Sequence, residues 1–271
     1  MLSAPNEVLA TTIEFWQGLK VQSRCILALI IRDMMMRYGR DNIGFLWVVL
    51  EPMILTVGVM ALWSVLRPPY EHGVQIVAVV LTGYMPLTLW RHMTNCAIFL
   101  FRRTAGVLYH RNISLLDVFI ARMLLEFAGT TTALVSVAMV LVAIGIIDLP
   151  RDFGLVAAGW LLKAFYAFGV GLCIAALTEY SEVTERFIQP IQYLMLPISG
   201  VFFMVDWLHS FAQELIWYNP SVHCFEMFRA GFFGEEVRTH YAGWYTVVWS
   251  IGLTGAGLWS VNKVRDRIHF G

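Results

Sequence analysis

Six long apolar runs dominate this sequence and dictate the solvent in which it must fold. An α-helix crosses ~30 Å of hydrocarbon with about 20 mostly apolar residues, and segments 44–66, 74–100, 119–147, 153–178, 187–205 and 242–261 meet that ruler. Hydrocarbon offers no water to backbone N–H and C=O groups, so such runs are predicted as helices that satisfy their own ladders. Composition agrees: 58% of the 271 residues are apolar and 14% charged, far from the soluble average. The expected fold class is an all-α membrane protein of six transmembrane helices, a single membrane domain over 1–271. The six-span part, 44–262, lies between cytoplasmic tails 1–43 and 263–271.

Nineteen Lys and Arg balance nineteen Asp and Glu, and no long basic run points to nucleic acid. Placement says more than the total. Thirteen basic residues fall on one set of connections (Lys20, Arg24, Arg32, Arg37, Arg40, Arg102, Arg103, Arg111, Arg122, Arg186, Lys263, Arg265 and Arg267). Four fall on the other (Arg67, Arg151, Arg229 and Arg238). The positive-inside bias therefore puts both termini in the cytoplasm. The first residues lack a cationic start followed by an apolar core, so no cleaved signal peptide is expected. Cys25, Cys96, Cys173 and Cys224 show no CxxC spacing and read as small packing residues, with no metal site.

Three connections stand out. The run 26–31 is too short to cross and is surrounded by Arg24, Arg32, Asp33, Arg37 and Arg40; an amphipathic helix along the headgroups is expected, with a solvent-facing helix as the alternative. The cytoplasmic link 102–116 is basic and partly apolar. Its Arg103, Val107, Leu108, Tyr109, Arg111 and Leu115 suit a partner's surface, with simple headgroup anchoring as the alternative. The outward link 206–241 carries apolar residues at helical intervals on both sides of Asn219–Pro220. Two short re-entrant helices are expected there, sheltered by protein, around Trp217, Tyr218, Asn219, Pro220 and Arg229. A small folded cap is the alternative. The nine Trp and Tyr residues near the outer half, Trp63 to Tyr245, read mostly as an aromatic belt.

Two cations lie inside spans. An ionised side chain at mid-bilayer costs a few kcal/mol at least, so Arg91 and Lys163 must face a polar interior, find a partner or snorkel. They are candidates, with Glu51 near the inner third of the first span, for a translocation path suited to an anionic solute. The alternative neutralises them with Glu51 or Glu126. Glu126 also stands one turn beyond Arg122, a spacing that permits an ion pair. The group Glu179, Glu182, Glu185 and Arg186 reads as a solvated face or a docking edge. No lysine directly follows a glycine, so the chain has no phosphate-cradling Gly-Lys loop, and no HExxH is present. No catalytic residue or chain-bound cofactor is expected.

The stretch "RYGRDNIGFLWVVLEPMI", with Arg37, Tyr38, Gly44, Trp47 and Pro52, resembles the start of a type-2 ABC exporter, with Arg32, Arg37 and Tyr38 on the interface helix. "LYHRNISLLDVFIARMLLEF", "LPISGVFF" at 196–203 and "YNPSVHCFEMFRAGFF" at 218–233 narrow the likeness to the membrane subunits of capsular polysaccharide exporters, the KpsM-like permeases. That resemblance implies a homodimer in the inner membrane with two copies of a cytoplasmic ATP-binding subunit, which would bind ATP and Mg. It implies export of a lipid-linked acidic polymer toward a periplasmic co-polymerase and an outer-membrane channel. It also casts 102–116 as the coupling helix seated on the ATPase. O-antigen or teichoic-acid exporters share most of this architecture, and a non-transporting enzyme or assembly factor acting on lipid-linked sugars is the rival from another class.

Overall fold

A computed structural model describes residues 4–38, 44–108 and 113–265, with the side chains of 16–36, 46–106, 113–181 and 183–264. Helix α1 (Ala4–Tyr38) is one continuous element laid against α2 (Gly44–Leu66) and α6 (Leu115–Ala143). Its run 26–31 supplies the contact: Leu29 is buried, and Ile26 and Ile30 pack beside it, an i, i+3, i+4 stripe on one face. Leu27 and Ile31 on the other side stay exposed. Helix α2 continues through Pro52 without a break.

The second expected span begins later than its apolar run. Strands β1 (Tyr70–Glu71) and β2 (Val74–Gln75) pair antiparallel across His72 and Gly73, both at positive φ. That is the type I′ requirement for a two-residue hairpin. Helix α3 (Ile76–Asn95) follows; Phe99, at φ 51°, then turns the chain into α4 (Leu100–Arg103) and α5 (Ala105–Leu108). Helix α6 starts four residues before the expected span because Ser114 and Asp117 form a capping box. The Asp117 amide donates to the Ser114 hydroxyl at 3.1 Å, and the Ser114 amide to the Asp117 carboxylate at 2.9 Å. Gly145, at φ 72°, ends this segment.

Helix α7 (Phe153–Tyr180) is the centre, packing on α3, α10 (Pro220–Phe233) and α11 (Gly243–Arg265). Asp152 caps α7 through the Leu155 amide at 3.0 Å. The same turn is stitched to α10 by Arg151 N–H to Phe232 O (3.3 Å) and Asp152 N–H to Gly231 O (2.9 Å). The Arg151–Glu236 pair beside it, at 2.6 Å, is more than half exposed on both sides and adds little; the backbone bonds hold the joint. Helices α7 and α10 touch backbone to backbone, since a Cβ at Gly159 would stand 2.7 Å from the Phe228 nitrogen.

The fifth expected span, 187–205, is not one helix. Helix α8 (Glu182–Met195) carries Pro190 inside and ends at Met195. A 3-10 turn over Leu196–Ile198 follows, then Gly200 at φ 90° and a second 3-10 turn, Val205–Trp207. Pro197 has no N–H to continue the ladder, and 14 residues at 1.5 Å each reach only about 21 Å. Among the described residues three helices are long and apolar enough to cross a membrane, over Leu46–Leu66, Leu115–Ala143 and Phe153–Tyr180; α3 and α11 are long but less apolar. Helix α9 (Ser210–Trp217) precedes α10, and the two divide at Asn219–Pro220 as expected. Asn219 accepts the Ser221 amide at 3.0 Å and Pro220 occupies the first turn.

Polarity is arranged for an apolar surround. Helix α8 turns one glutamine inward: the buried Gln192 donates to the Thr94 hydroxyl (3.1 Å), while the exposed Gln189 donates to the Asn95 side-chain oxygen (3.3 Å). Its Phe187, Ile191 and Leu194 are more than half exposed. Buried hydroxyls of Thr56, Thr82, Thr104 and Thr130 close on carbonyls one turn back, which satisfies these four donors within their own helices. Among the described residues none of the four cysteines forms a disulfide.

Candidate translocation and coupling site

Lys163 projects from the middle of α7 and is 2% exposed. Its Nζ donates to Ser221 Oγ at 2.5 Å and lies 4.3 Å from the Phe225 ring centre, with Trp90 and Tyr166 each at 5.9 Å. A hydroxyl and three aromatic faces thus hold the ammonium, an arrangement in which cation–π attraction gains from desolvation. The cation also clamps α10 onto α7. Arg91, one residue beyond Trp90 on α3, stacks its guanidinium over Tyr193 of α8 at 5.4 Å. Glu51 on α2 is exposed and lines a different space, a polar cavity of about 200 Å³ shared with His92, Asn95, Arg103, Arg122 and Glu126. Lys163, Arg91 and Glu51 therefore stand in three separate environments. Glu126 itself pairs with Arg122 (3.7 Å) at the expected spacing and with His92 (3.2 Å).

The connection between α8 and α11 is organised by Arg229, one of the residues named for the expected re-entrant region. Arg229 is fully buried. Its guanidinium donates to Gly200 O (2.7 Å), Val201 O (2.7 Å) and Phe203 O (2.6 Å). Glu226, one turn earlier, accepts the amides of Val205 (3.2 Å) and His240 (3.0 Å). One acid and one base of α10 thereby fix the irregular chain after α8, satisfying carbonyls and amides that no ladder reaches. The two stretches 196–203 and 218–233 are one unit. Gly83 of α3 completes it, because a side chain there would collide with Val201 O and Arg229. Trp217 and Tyr218 are exposed and offer their carbonyls inward, Trp217 to His223 Nε2 (2.9 Å) and Tyr218 to the Tyr245 hydroxyl (3.0 Å). The Ala242 amide donates to His223 Nδ1 at 3.2 Å; His223 is thus a neutral imidazole with its proton on Nε2.

At the opposite end, Arg103 borders both the polar cavity and a second groove of about 380 Å³ with Phe99, Arg102, Glu185 and Arg186. Glu179 is not part of a solvated face. Its side chain is 6% exposed and binds Arg102 at 3.1 Å, tying α4 to the end of α7. Leu115 packs on the main core. Val107 and Leu108 lie in α5, but their side chains, with Tyr109 and Arg111, fall outside the described residues. Arg32 pairs with Asp33 at 3.1 Å. Arg37 and Tyr38 end α1, their side chains also outside the described set.

Some of the residues that build the two ends carry a sequence signal and some do not. Ser114-x-x-Asp117 is a readable capping box, and Glu226 with Arg229 has the i, i+3 spacing of a helical pair. Nothing local marks His92 or Gln22, whose partners are 34 and 95 residues away.

A family model for ABC-2 type transporters matches residues 24–233. The chain is 41% identical to the capsule polysaccharide export inner-membrane protein CtrC of Neisseria meningitidis serogroup B over 254 residues, 94% of this chain and 96% of that protein. Against the capsule polysaccharide export inner-membrane protein BexB of Haemophilus influenzae it is 39% identical over the same shares. Similarity extends to the polysialic acid transport protein KpsM of Escherichia coli, at 24% over 85% of this chain and 91% of that protein.

Proposed function

The chain belongs to the ABC-2 type transporter family, and from that premise we propose that it is the membrane permease of a capsule polysaccharide exporter in the inner membrane. The observation that carries this reading is near end-to-end similarity to capsule export inner-membrane proteins. Two copies would pair, each with a cytoplasmic ATP-binding subunit that holds ATP and Mg, so that hydrolysis occurs outside this polypeptide. Each copy would span the membrane six times with both termini cytoplasmic, the broken α8 segment counting as the fifth crossing and α9–α10 as the re-entrant pair. The polymer is lipid-linked and acidic, passed on to a periplasmic co-polymerase and an outer-membrane channel; nucleic acid has no part.

Three features support a hydrated, anion-tolerant passage beside α8: the buried Gln192 and the exposed Gln189 bound to Thr94 and Asn95 of α3, Arg91 over Tyr193, and the arginine-bordered groove at the cytoplasmic end. Lys163, enclosed by rings, would act behind this wall by holding α10 in place and by lending positive potential. Glu51 would stand at the passage's inner mouth. ATP binding must favour one permease conformation through contacts that differ between states, and 102–116 is the segment placed to receive them. The deciding experiment is complementation: deletion of the gene abolishes surface capsule, the wild-type chain restores it, and the purified chain carries two ATP-binding subunits per dimer. Undiminished capsule in the deletion strain rejects the reading.

A further inference from the structure

A chain of charged side chains links the interface helix to α3, and it begins at the residue that caps the helix after the coupling segment. Asp117 closes the capping box of α6 and accepts Gln22 of α1 at 2.8 Å. About three turns further along α1, Asp33 accepts Arg122 Nη1 at 3.2 Å. Arg122 Nε lies 3.7 Å from Glu126 Oε1, and Glu126 Oε2 meets His92 Nδ1 of α3 at 3.2 Å. Next to His92 on α3 is Arg91, facing α8.

We propose that Asp33, Arg122, Glu126 and His92 are positioning residues that transmit movement of α1 and the coupling segment to α3, and so set how much polymer is exported per ATP. This rests on the transporter reading above. Three arguments carry it. Two of the links, Arg122 to Asp33 and Glu126 to His92, are within hydrogen-bond distance at 3.2 Å, and the one between them, Arg122 to Glu126 at 3.7 Å, is an ion pair along one helix face; together they cross α1, α6 and α3 beside the apolar packing of those helices and the Gln22–Asp117 hydrogen bond. The carboxylate of Glu126 is 2% exposed and that of Asp33 11%, so neither charge can be left behind when a helix moves. Each must travel with its partner or exchange it, as a two-state coupling element requires. The polar cavity of about 200 Å³ beside the chain, bounded by Glu51, His92, Arg103, Arg122 and Glu126, gives Arg122 and His92 room for a second arrangement. Arg103 of α4 on its wall brings the coupling segment to the same place.

The test uses the full complex with its ATP-binding subunit, carrying His92→Gln, Glu126→Gln or Arg122→Gln, with surface capsule and ATP hydrolysis measured on matched amounts of assembled protein. His92 is partly exposed and its substitution leaves no buried charge unbalanced, so that variant keeps the test valid if the other two fail to assemble. The expected result is retained hydrolysis with capsule per ATP reduced roughly fivefold or more, the lower range of site-to-site coupling. Partial recovery is expected in Arg122→Lys, and in Asp33→Arg combined with Arg122→Asp. Export and hydrolysis that fall in proportion, or an unchanged ratio in His92→Gln, overturn the relay. Loss of hydrolysis and capsule together in the wild-type complex would instead discard the transporter reading itself.

Discussion

Two buried cations do different physical work. Arg229 is bound on its donor side to three backbone carbonyls within 2.7 Å, so removing it strands acceptors that cost about 1–3 kcal/mol each when unsatisfied. Arg229→Met is expected to abolish accumulation of folded protein, and Arg229→Lys to rescue little, since an ammonium lacks the planar fork; detergent-solubilised yield and unfolding temperature report both. Lys163 has one hydroxyl partner and otherwise faces rings. Lys163→Met conserves volume and removes the buried charge, so stability should change by less than about 1.5 kcal/mol, whereas Lys163→Ala leaves a cavity worth about 2–5 kcal/mol. If the charge itself serves export, Lys163→Met gives normal protein levels and reduced capsule. Normal capsule in that variant would reduce Lys163 to a packing residue.

At the scale of elements, the joints matter more than the rods. Helix α6 depends on Ser114 and Asp117, so Ser114→Ala should cost about 0.5–2 kcal/mol and fray the turn that follows the coupling segment, seen as faster amide exchange at the start of α6. Helix α10 sits on α7 only because Gly159 and Gly231 let backbones meet; Gly159→Leu should separate them and abolish folded protein, measured as loss of a monodisperse chromatographic peak. If 102–116 is the coupling segment proposed above, Leu108→Asp and Arg111→Glu are expected to weaken capture of the ATP-binding subunit at least tenfold without lowering permease yield. Undiminished capture in a pull-down would move the docking surface elsewhere.

For the whole molecule, the exposed surface is largely apolar over α2, α8 and α11, well beyond what a soluble monomer shows, and lipid or a second copy must cover it. The membrane class, the bounds of α2 and α7, the division at Asn219–Pro220 and the Arg122–Glu126 spacing were all legible in the sequence. These features are set by local periodicity, helix breakers and the absence of water. The sequence misjudged the segment 187–205, where composition concealed a break that Pro197 and Gly200 impose. It grouped Lys163, Arg91 and Glu51 as candidates for one path, while the structure gives them three different surroundings. Span-level hydropathy gives depth along the membrane but not the direction in which a side chain points. Sequence alone thus determined that this chain is a bundle of membrane helices whose basic residues are concentrated on one set of connections, because hydrophobic run length and charge placement are one-dimensional quantities. Only the tertiary structure decided that Arg229 ties two distant motifs into one unit and that Asp33, Arg122, Glu126 and His92 join α1 to α3, because such contacts depend on which helices lie side by side.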